Sequence, residues 1–552
     1  MPSILRKTFA AAVAVGLLFF ATANALPENH RSARLEKNVG GILRRCVQGA
    51  LNGVDVNARI VTPDLDTYTD ARTGENIQDK QLPAMIAYVI DASEVPRLIR
   101  CARASQINPV PRTGGHHFLA YSSLNNSLVI DISHLNKVTV STDTKTVNVQ
   151  AGARLGQLYL ALDKYGLTFP GGICPTVGIS GYLSSGGFNM QQRALGLAAD
   201  YVTAATVVTA DGRIIKVSPS ANADLFWAVR GGGGGTYGII IEWTLSTMAF
   251  PPATMLSLRW TGVTDNDLRY NLARQFFAWG PSTDKNLTSQ INVHRDNVEV
   301  LGWYYGGNVD QISALVNASG LLTIKAPDAV SIAGNCTVDQ ARLFGYAAYD
   351  CSPTVDRSLI NQPEDPFLPI PLPSGNGTYP QFKYRETSAE PGLAISAWPR
   401  FKRMSKSFFV QKEKPISNTD LKTITDLIGA QSEASQVWGE WHAWNITSGP
   451  NPDNAFAWRA QAASHLEFTV HGSDDAIQQH ANKDFLDQVE NVLRPALGPA
   501  SYSGYSDDTM TVSPVLSYFG SNVCRLSKIK SKYDYSNVFQ NPGTIPTYVP
   551  GC

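Results

Sequence analysis

Two residues in glycine-rich surroundings could carry covalent chemistry. His116 stands in Arg112-Thr113-Gly114-Gly115-His116-His117, and Cys174 follows 58 residues later in Gly171-Gly172-Ile173-Cys174-Pro175-Thr176-Val177-Gly178. A nucleophilic sulfur and an imidazole, each in such a loop, are what a protein needs to hold a flavin by two covalent bonds. Thr113, Gly114 and Gly115 leave backbone N–H groups free to face an anion. His117 is the rival for the imidazole, and spacing alone does not choose between the two. A histidine satisfied in a turn would account for either one taken singly. The cysteine loop is the more specific signal: Gly171, Gly172, Gly178, Gly181, Gly186 and Gly187 are six glycines in seventeen residues. Backbone lying close against a flat ligand would require them.

Cysteine arithmetic points the same way. Seven cysteines leave one over, and the expected pairs join near neighbours: Cys46–Cys101, Cys336–Cys351 and Cys524–Cys552. Pairing presupposes an oxidising compartment. The N-terminus supplies the route. Arg6 and Lys7 precede an apolar run from Phe9 to Phe20, and Ala23-Asn24-Ala25 offers small residues for cleavage. Residues 1–25 read as a signal peptide, so a secreted, extracellular protein is expected. Six Asn-x-Ser/Thr sequons, at Asn125, Asn286, Asn317, Asn335, Asn376 and Asn445, fit a glycoprotein. Lys+Arg and Asp+Glu balance at 46 each, so no basic field exists for nucleic acid, and no second long apolar run follows for a membrane. No metal is expected, and the protein is read as a monomer.

The elements that must position these residues can be placed by periodicity. Residues 41–55 read as a helix, Ala84–Ile90 as a strand, and Ser93 as the cap of a helix through Cys101. Ser127–Ile132, Val138–Ser141 and Thr146–Gln150 are β-like, and Leu155–Tyr165 is helical. Tyr201–Thr209 and Ile214–Val217 form a hairpin about Ala210-Asp211-Gly212-Arg213. Gly231 to Gly235 invites a dinucleotide-binding reading, which the order of elements rejects. A helix (Ala223–Arg230) precedes the glycines and a strand (Tyr237–Leu245) follows, whereas that motif needs strand, glycines, helix. Beyond residue 251 the texture changes to antiparallel strands, such as Met255–Trp260 and Gln290–His294, interleaved with helices at Leu421–Ser432 and Ala476–Leu493. Residues 352–380 are proline-rich and read as a long excursion. Tyr518–Phe539 reads as a basic-faced helix with an aromatic turn.

Five motifs together resemble the berberine bridge enzyme-like flavoproteins, within the vanillyl-alcohol oxidase / p-cresol methylhydroxylase fold. They are Arg-Thr-Gly-Gly-His at 112–116, Gly-Ile-Cys-Pro-Thr-Val-Gly at 172–178, Gly-Leu-Ala-Ala-Asp at 196–200, Asp-Leu-Phe-Trp-Ala-Val-Arg-Gly-Gly-Gly at 224–233, and Tyr-Phe-Gly-Ser-Asn-Val-Cys-Arg-Leu at 518–526. The resemblance implies an α+β fold: a two-part FAD-binding domain and a substrate domain whose antiparallel sheet is covered by helices. The implied divisions are 26–250 and 495–552 for FAD and 251–494 for substrate.

It also implies FAD joined through His116 and Cys174, with Arg112, Thr113, Gly114, Gly115, His117, Val177, Gly178, Gly181, Gly186, Gly187 and Asn522 around it. His117 replaces the family's usual serine, and Ser184-Ser185-Gly186-Gly187-Phe188 alters its Leu-Gly-Gly-Gly. Valine three places after the cysteine accompanies reaction with molecular oxygen in the family, so Val177 implies an oxidase releasing hydrogen peroxide. Tyr502-Ser503-Gly504-Tyr505 matches a family Tyr-x-Asn-Tyr, which makes Tyr505 the candidate base. A free tyrosine with a pKa of ~10 needs help to serve as one. Glu467, in His465-Leu466-Glu467-Phe468, matches a polar position facing substrate and is the second candidate.

Val437-Trp438-Gly439-Glu440-Trp441-His442-Ala443-Trp444 is the richest aromatic stretch. As a strand it puts Trp438, Glu440 and His442 on one side and Trp441 on the other. Tryptophans beside polar groups suit the faces of a sugar, although ordinary core packing would explain them equally. The leading expectation is therefore oxidation of an oligosaccharide at its anomeric carbon to a lactone. The runner-up is an aromatic, alkaloid-like or polyketide small molecule, and a binding protein without turnover is a third reading.

Overall fold

The computed structural model describes residues 40–53, 56–78, 81–174, 176–188, 190–336, 402–447 and 449–552. The signal segment, the proline-rich excursion, Cys351 and Asn376 lie outside the described residues. Among those described, no helix is long and apolar enough to cross a membrane.

The fold is α+β. Its first part opens on a four-stranded sheet in the order Ile60–Val61, Met85–Tyr88, Ser127–Asp131, Asn108–Arg112. The last three strands are mutually parallel, and Asn108–Arg112 is an edge. An edge suits it, because Pro109 and Pro111 have no N–H to give a second neighbour. The histidine loop leaves the carboxyl end of this strand. A five-stranded antiparallel sheet follows, in the order Val138–Val140, Thr146–Gln150, Ile239–Ser246, Val202–Val208, Ile214–Val217. The helix at 94–104 starts after Ser93 as the pattern suggests, but Ser93 does not cap it with its side chain. Instead the Asp91 carboxylate accepts the Ser93 N–H at 2.8 Å.

The second part is a seven-stranded antiparallel sheet. Its order is Ala329–Cys336, Ala253–Thr261, Asn297–Tyr305, Leu287–His294, Trp438–Ala443, Ala462–His471, Arg403–Gln411. Helices Asn266–Trp279, Asn418–Gly429 and Ala476–Leu497 cover one face. Alternation sorts the side chains. Ile291, Trp441, Leu466, Phe468 and Phe408 enter the core beneath those helices. Their neighbours Gln290, Glu440, His442 and Glu467 are aimed at the opposite face. Register sets them in rows: Gln290 pairs with His442 and His442 with His465, while Asn292 pairs with Glu440 and Glu440 with Glu467.

Beyond residue 500 the chain returns to the first part. Tyr518, Phe519, Val523, Leu526, Ile529, Phe539 and Ile545 join the core built by residues 43–255. Cys46–Cys101 and Cys524–Cys552 are disulfides, and Cys174 is a free thiol.

The Gly-Leu-Ala-Ala-Asp motif has a structural reason. Asp200 is fully buried and accepts hydrogen bonds from the Leu197 N–H (3.1 Å), the Gly449 N–H (3.0 Å), Asn454 Nδ2 (2.8 Å) and Arg459 Nη1 (2.9 Å). It ties residues 449–459 onto the cysteine region and seats Phe456 against Gly186 and Gly231. Breaking a buried ion pair from one side leaves an uncompensated charge. Asp200→Ala is expected to lower stability by about 3–5 kcal/mol, read from denaturant unfolding.

Candidate active site

The two loops singled out by sequence meet. His116 Nε2 shares a hydrogen bond with Thr176 Oγ1 at 2.9 Å, two residues past Cys174. Behind them the chains touch at Gly114 and Gly178: a Cβ on Gly114 would stand 2.2 Å from the Gly178 nitrogen, and one on Gly178 would stand 2.1 Å from Thr113 Oγ1. These two glycines are required by backbone lying on backbone. Gly115 takes a left-handed φ of 70°, and its carbonyl accepts the Glu75 N–H at 2.9 Å.

A cavity of about 330 Å³ opens in front of the loops. Thr113, Gly114, Gly115, His116, His117, Cys174, Val177, Gly178 and Gly181 line it, as do Gly233, Gly234 and Gly235 of the glycine run. Gly181 has open space where a side chain would begin, unlike Gly114, Gly178, Gly186 and Gly187. Across the cavity, Trp438, Glu440, His442 and Glu467 come from the seven-stranded sheet, and Tyr505 comes from the returning segment. That segment is pinned to the sheet: Ser501 Oγ donates to the Ser407 carbonyl at 2.7 Å, and Ser407 Oγ accepts the Tyr502 N–H at 3.1 Å.

Four predicted cofactor residues do not line the cavity. Arg112 is buried behind it, with Nε 2.6 Å from Asp131 Oδ2 and Nη1 2.8 Å from the Ala71 carbonyl, and so staples the edge strand to its neighbours. Gly186 and Gly187 have φ of 102° and 71°, and side chains there would strike Phe456, and Tyr182 and Ala198, respectively. Asn522 donates Nδ2 to the Ala455 carbonyl at 3.1 Å. For these four, glycine or polar character serves protein–protein contact, which spacing could not separate from ligand contact.

Electrostatics divide the cavity. On the loop side, burial together with the Arg154 and Arg403 charges holds His116 well below its usual pKa, so its imidazole is neutral. Burial alone drives His117 down to about 4. His117 Nδ1 accepts the Leu119 N–H at 3.2 Å, and its ring lies on Tyr121 with centroids 4.8 Å apart. Burial pushes the Cys174 thiol up to about 12, with Arg403 opposing. On the sheet side, burial and the facing Glu440 raise Glu467 to about 8. Its Oε1 accepts Ser405 Oγ at 3.0 Å and Thr469 Oγ1 at 3.1 Å, and Glu440 Oε1 lies 2.8 Å from His442 Nε2. The second nitrogen of His442, both nitrogens of His465 and Gln290 Oε1 are buried without a hydrogen-bond partner. A sheet face of carboxyl, imidazole and amide groups thus confronts a loop face whose imidazole and thiol are uncharged.

Sequence reasoning missed Arg403, Gln290, Phe118 and Phe188, all of which line the cavity. Arg403 sits with its guanidinium carbon 4.4 Å above the Phe118 ring centroid. Only the alternating Arg403-Met404-Ser405-Lys406-Ser407 could have marked it, and buried Lys406 breaks that alternation by pairing with Asp507 at 2.9 Å.

The loop side has what a flavin attached at two points requires: a free thiol and a neutral imidazole on one cavity wall, with glycine backbone between them. The comparisons with known proteins agree about the cofactor. Residues 83–218 match the model of an FAD binding domain, and residues 501–546 match the berberine and berberine like model. The chain is 49% identical to the FAD-linked oxidoreductase pynB of Aspergillus niger over 537 residues, 97% of each chain. It is 50% identical to the FAD-linked oxidoreductase pytB of Aspergillus terreus over 502 residues, 90% of this chain and 61% of that one. Among solved structures, a chitooligosaccharide oxidase superposes with a TM-score of 0.72 at 19% identity, covering 92% of this chain and all of that one, and this likeness is one of fold. With the site and these matches together, the chain belongs to the berberine bridge enzyme-like family of FAD-dependent oxidoreductases.

Proposed function

We propose that the protein is a secreted oxidase, with flavin joined to His116 and Cys174, that removes hydride from a hydroxyl-bearing carbon and passes the electrons to oxygen. The observation that carries this reading is the buried carboxyl pair Glu440–Glu467 on the wall opposite the two linking residues. Bound FAD supplies the two-electron acceptor. The chain's own part is to place the carbinol carbon between the walls and to take its hydroxyl proton. Glu467 is the group suited to that proton, because burial has raised its proton affinity into the working range of a general base. Tyr505 also lines the cavity, packed on Phe118 with centroids 5.3 Å apart. Val177, on the cavity wall, supports oxygen as the acceptor by its family association. Two disulfides and the exposed sequons Asn125, Asn286, Asn317 and Asn445 support passage through an oxidising compartment.

For the substrate, the cavity favours an aromatic or polyketide-like alcohol over an oligosaccharide. Of the three tryptophans in the Val437–Trp444 stretch, Trp438 lines the cavity beside Glu440 and His442 as expected, and the other two do not reach it. Trp441 is 1% exposed and stacks on Phe277, and Trp444 is 0% exposed and stacks on Phe456. The walls are instead Phe118, Tyr121, Tyr182, Phe188, Trp438 and Tyr502. Such a slot holds a flat apolar body with one hydroxyl at the acidic face. Peroxide release on aromatic and polyketide-type alcohols, beside cello-, xylo- and malto-oligosaccharides, tests the order; turnover confined to sugars would reverse it.

The links have a separate test. His116→Ala should leave flavin attached only through Cys174, and Cys174→Ala only through the histidine. Acid precipitation followed by peptide mass analysis reads both. Loss of the histidyl link in His117→Ala instead would transfer the role to His117.

A further inference from the structure

We propose that Glu75, held by Arg403, readies His116 for its bond to the cofactor: it is a positioning residue for attachment, and the proposal rests on His116 being the histidyl link. The chain at 74–75 is fastened to the histidine loop immediately before that residue. A Cβ on Gly74 would lie 2.3 Å from the Gly115 carbonyl oxygen, and the Glu75 N–H donates to that same oxygen at 2.9 Å. The Glu75 side chain is completely buried, with Oε2 2.5 Å from Arg403 Nη2 and 3.9 Å from His116 Nδ1. Its other oxygen, Oε1, is buried without a hydrogen-bond partner. A carboxylate in such surroundings is costly unless its charge is used. Burial raises the Glu75 pKa above the usual carboxylate range, and the Arg403 charge beside it opposes that rise.

The imidazole is therefore gripped from two sides. Thr176 holds Nε2, and Nδ1 faces the carboxylate. A carboxylate beside a reacting imidazole favours one ring orientation and stabilises the positive charge the ring acquires. The step balances as follows. The flavin's 8α-methyl carbon would give up a proton, and the lone pair of one imidazole nitrogen would form the N–C bond. The electron pair of the broken C–H bond would stay on the flavin until dioxygen removes it, and the ring would shed its charge as the proton on its other nitrogen. Glu75 acts while the ring is cationic. Nothing in this role touches substrate, so catalysis by protein already linked should not depend on it.

The test is made in the Cys174→Ala background, where only the histidyl bond can hold flavin through acid. Protein produced without riboflavin is mixed with FAD and sampled over time for acid-stable flavin and for the mass of the His116 peptide. Glu75→Gln is expected to bind FAD yet form the adduct roughly tenfold to a hundredfold more slowly, the size of effect that carboxylate partners have on metal-bound histidines. Glu75→Asp should restore part of the rate. An unchanged rate in Glu75→Gln overturns the proposal. So does loss of FAD binding in both variants, which would make Glu75 a structural anchor for Arg403. His116→Ala in the same background isolates the underlying reading: acid-stable flavin persisting there would remove His116 as the link and leave Glu75 no histidine to serve.

Discussion

Flavin reduction in Glu467→Gln should be slower by about two to four orders of magnitude, the usual worth of a positioned general base, with the cofactor still attached. The amide keeps the hydrogen bonds offered by Ser405 and Thr469 but cannot take a proton. The pH profile makes the assignment specific. Burial and the facing Glu440 have raised the Glu467 pKa to about 8, so a base at this position is mostly protonated at neutral pH. The rate in the parent protein should rise as pH climbs through about 8, and that rise should vanish in Glu467→Gln. Stability runs the other way. A carboxyl whose folded pKa lies above its unfolded value holds an extra proton in the native state, so its contribution is full at low pH and is lost as pH rises through the folded pKa. Glu467→Gln should therefore flatten the fall in melting temperature between the ordinary carboxylate range and about pH 8. Should Tyr505→Phe abolish the rise while Glu467→Gln leaves it intact, the tyrosine is the base and the carboxyl its neighbour.

The second large effect is expected from one methyl group. Gly114→Ala places a carbon 2.2 Å from the Gly178 nitrogen, where the obstacle is backbone and cannot rotate away. The two loops must part, at a cost of about 3 kcal/mol, the upper part of the range for overpacking. Parting them also breaks the register between the two linking residues, because the His116–Thr176 hydrogen bond spans the same junction. Both links should fail together: acid-stable flavin should fall at His116 and at Cys174 alike, and thermal unfolding should shift down. A variant with one link intact would mean that the loops are independent.

Local pattern was legible wherever it alone decides structure. The strands Thr146–Gln150 and Ile214–Val217 stand where alternation put them, and the helix–glycine–strand order that rejected a dinucleotide loop is the order found. The faces of Trp438–Ala443 were legible for the same reason, because a strand's period of two leaves no choice. What the sequence could not show was the contact partner. Gly178 and Gly186 look alike in a string of glycines, yet one meets Gly114 and the other meets Phe456, 270 positions along the chain. Arg112 opens the histidine motif but pairs with Asp131, and Arg403 stands in no motif yet reaches the cavity. Trp438 and Trp444 look alike in composition, yet one lines the cavity and the other packs in a core cluster. Each miss concerns a pairing across the fold, which one chain read alone does not encode locally.

The returning segment gives the protein a timetable. Tyr505 and the aromatic pair Tyr518 and Phe519 complete the cavity, and Phe539 and Ile545 complete the core beneath it, so about the last tenth of a ribosomal passage supplies parts that the first half has been waiting for. Phe408 and its neighbours can pack with their covering helices earlier, but Ser407 meets its partners Ser501 and Tyr502 only near the end. Capture of the cofactor is therefore a late event on a finished chain, and a polypeptide cut before residue 501 would leave the synthetic line colourless.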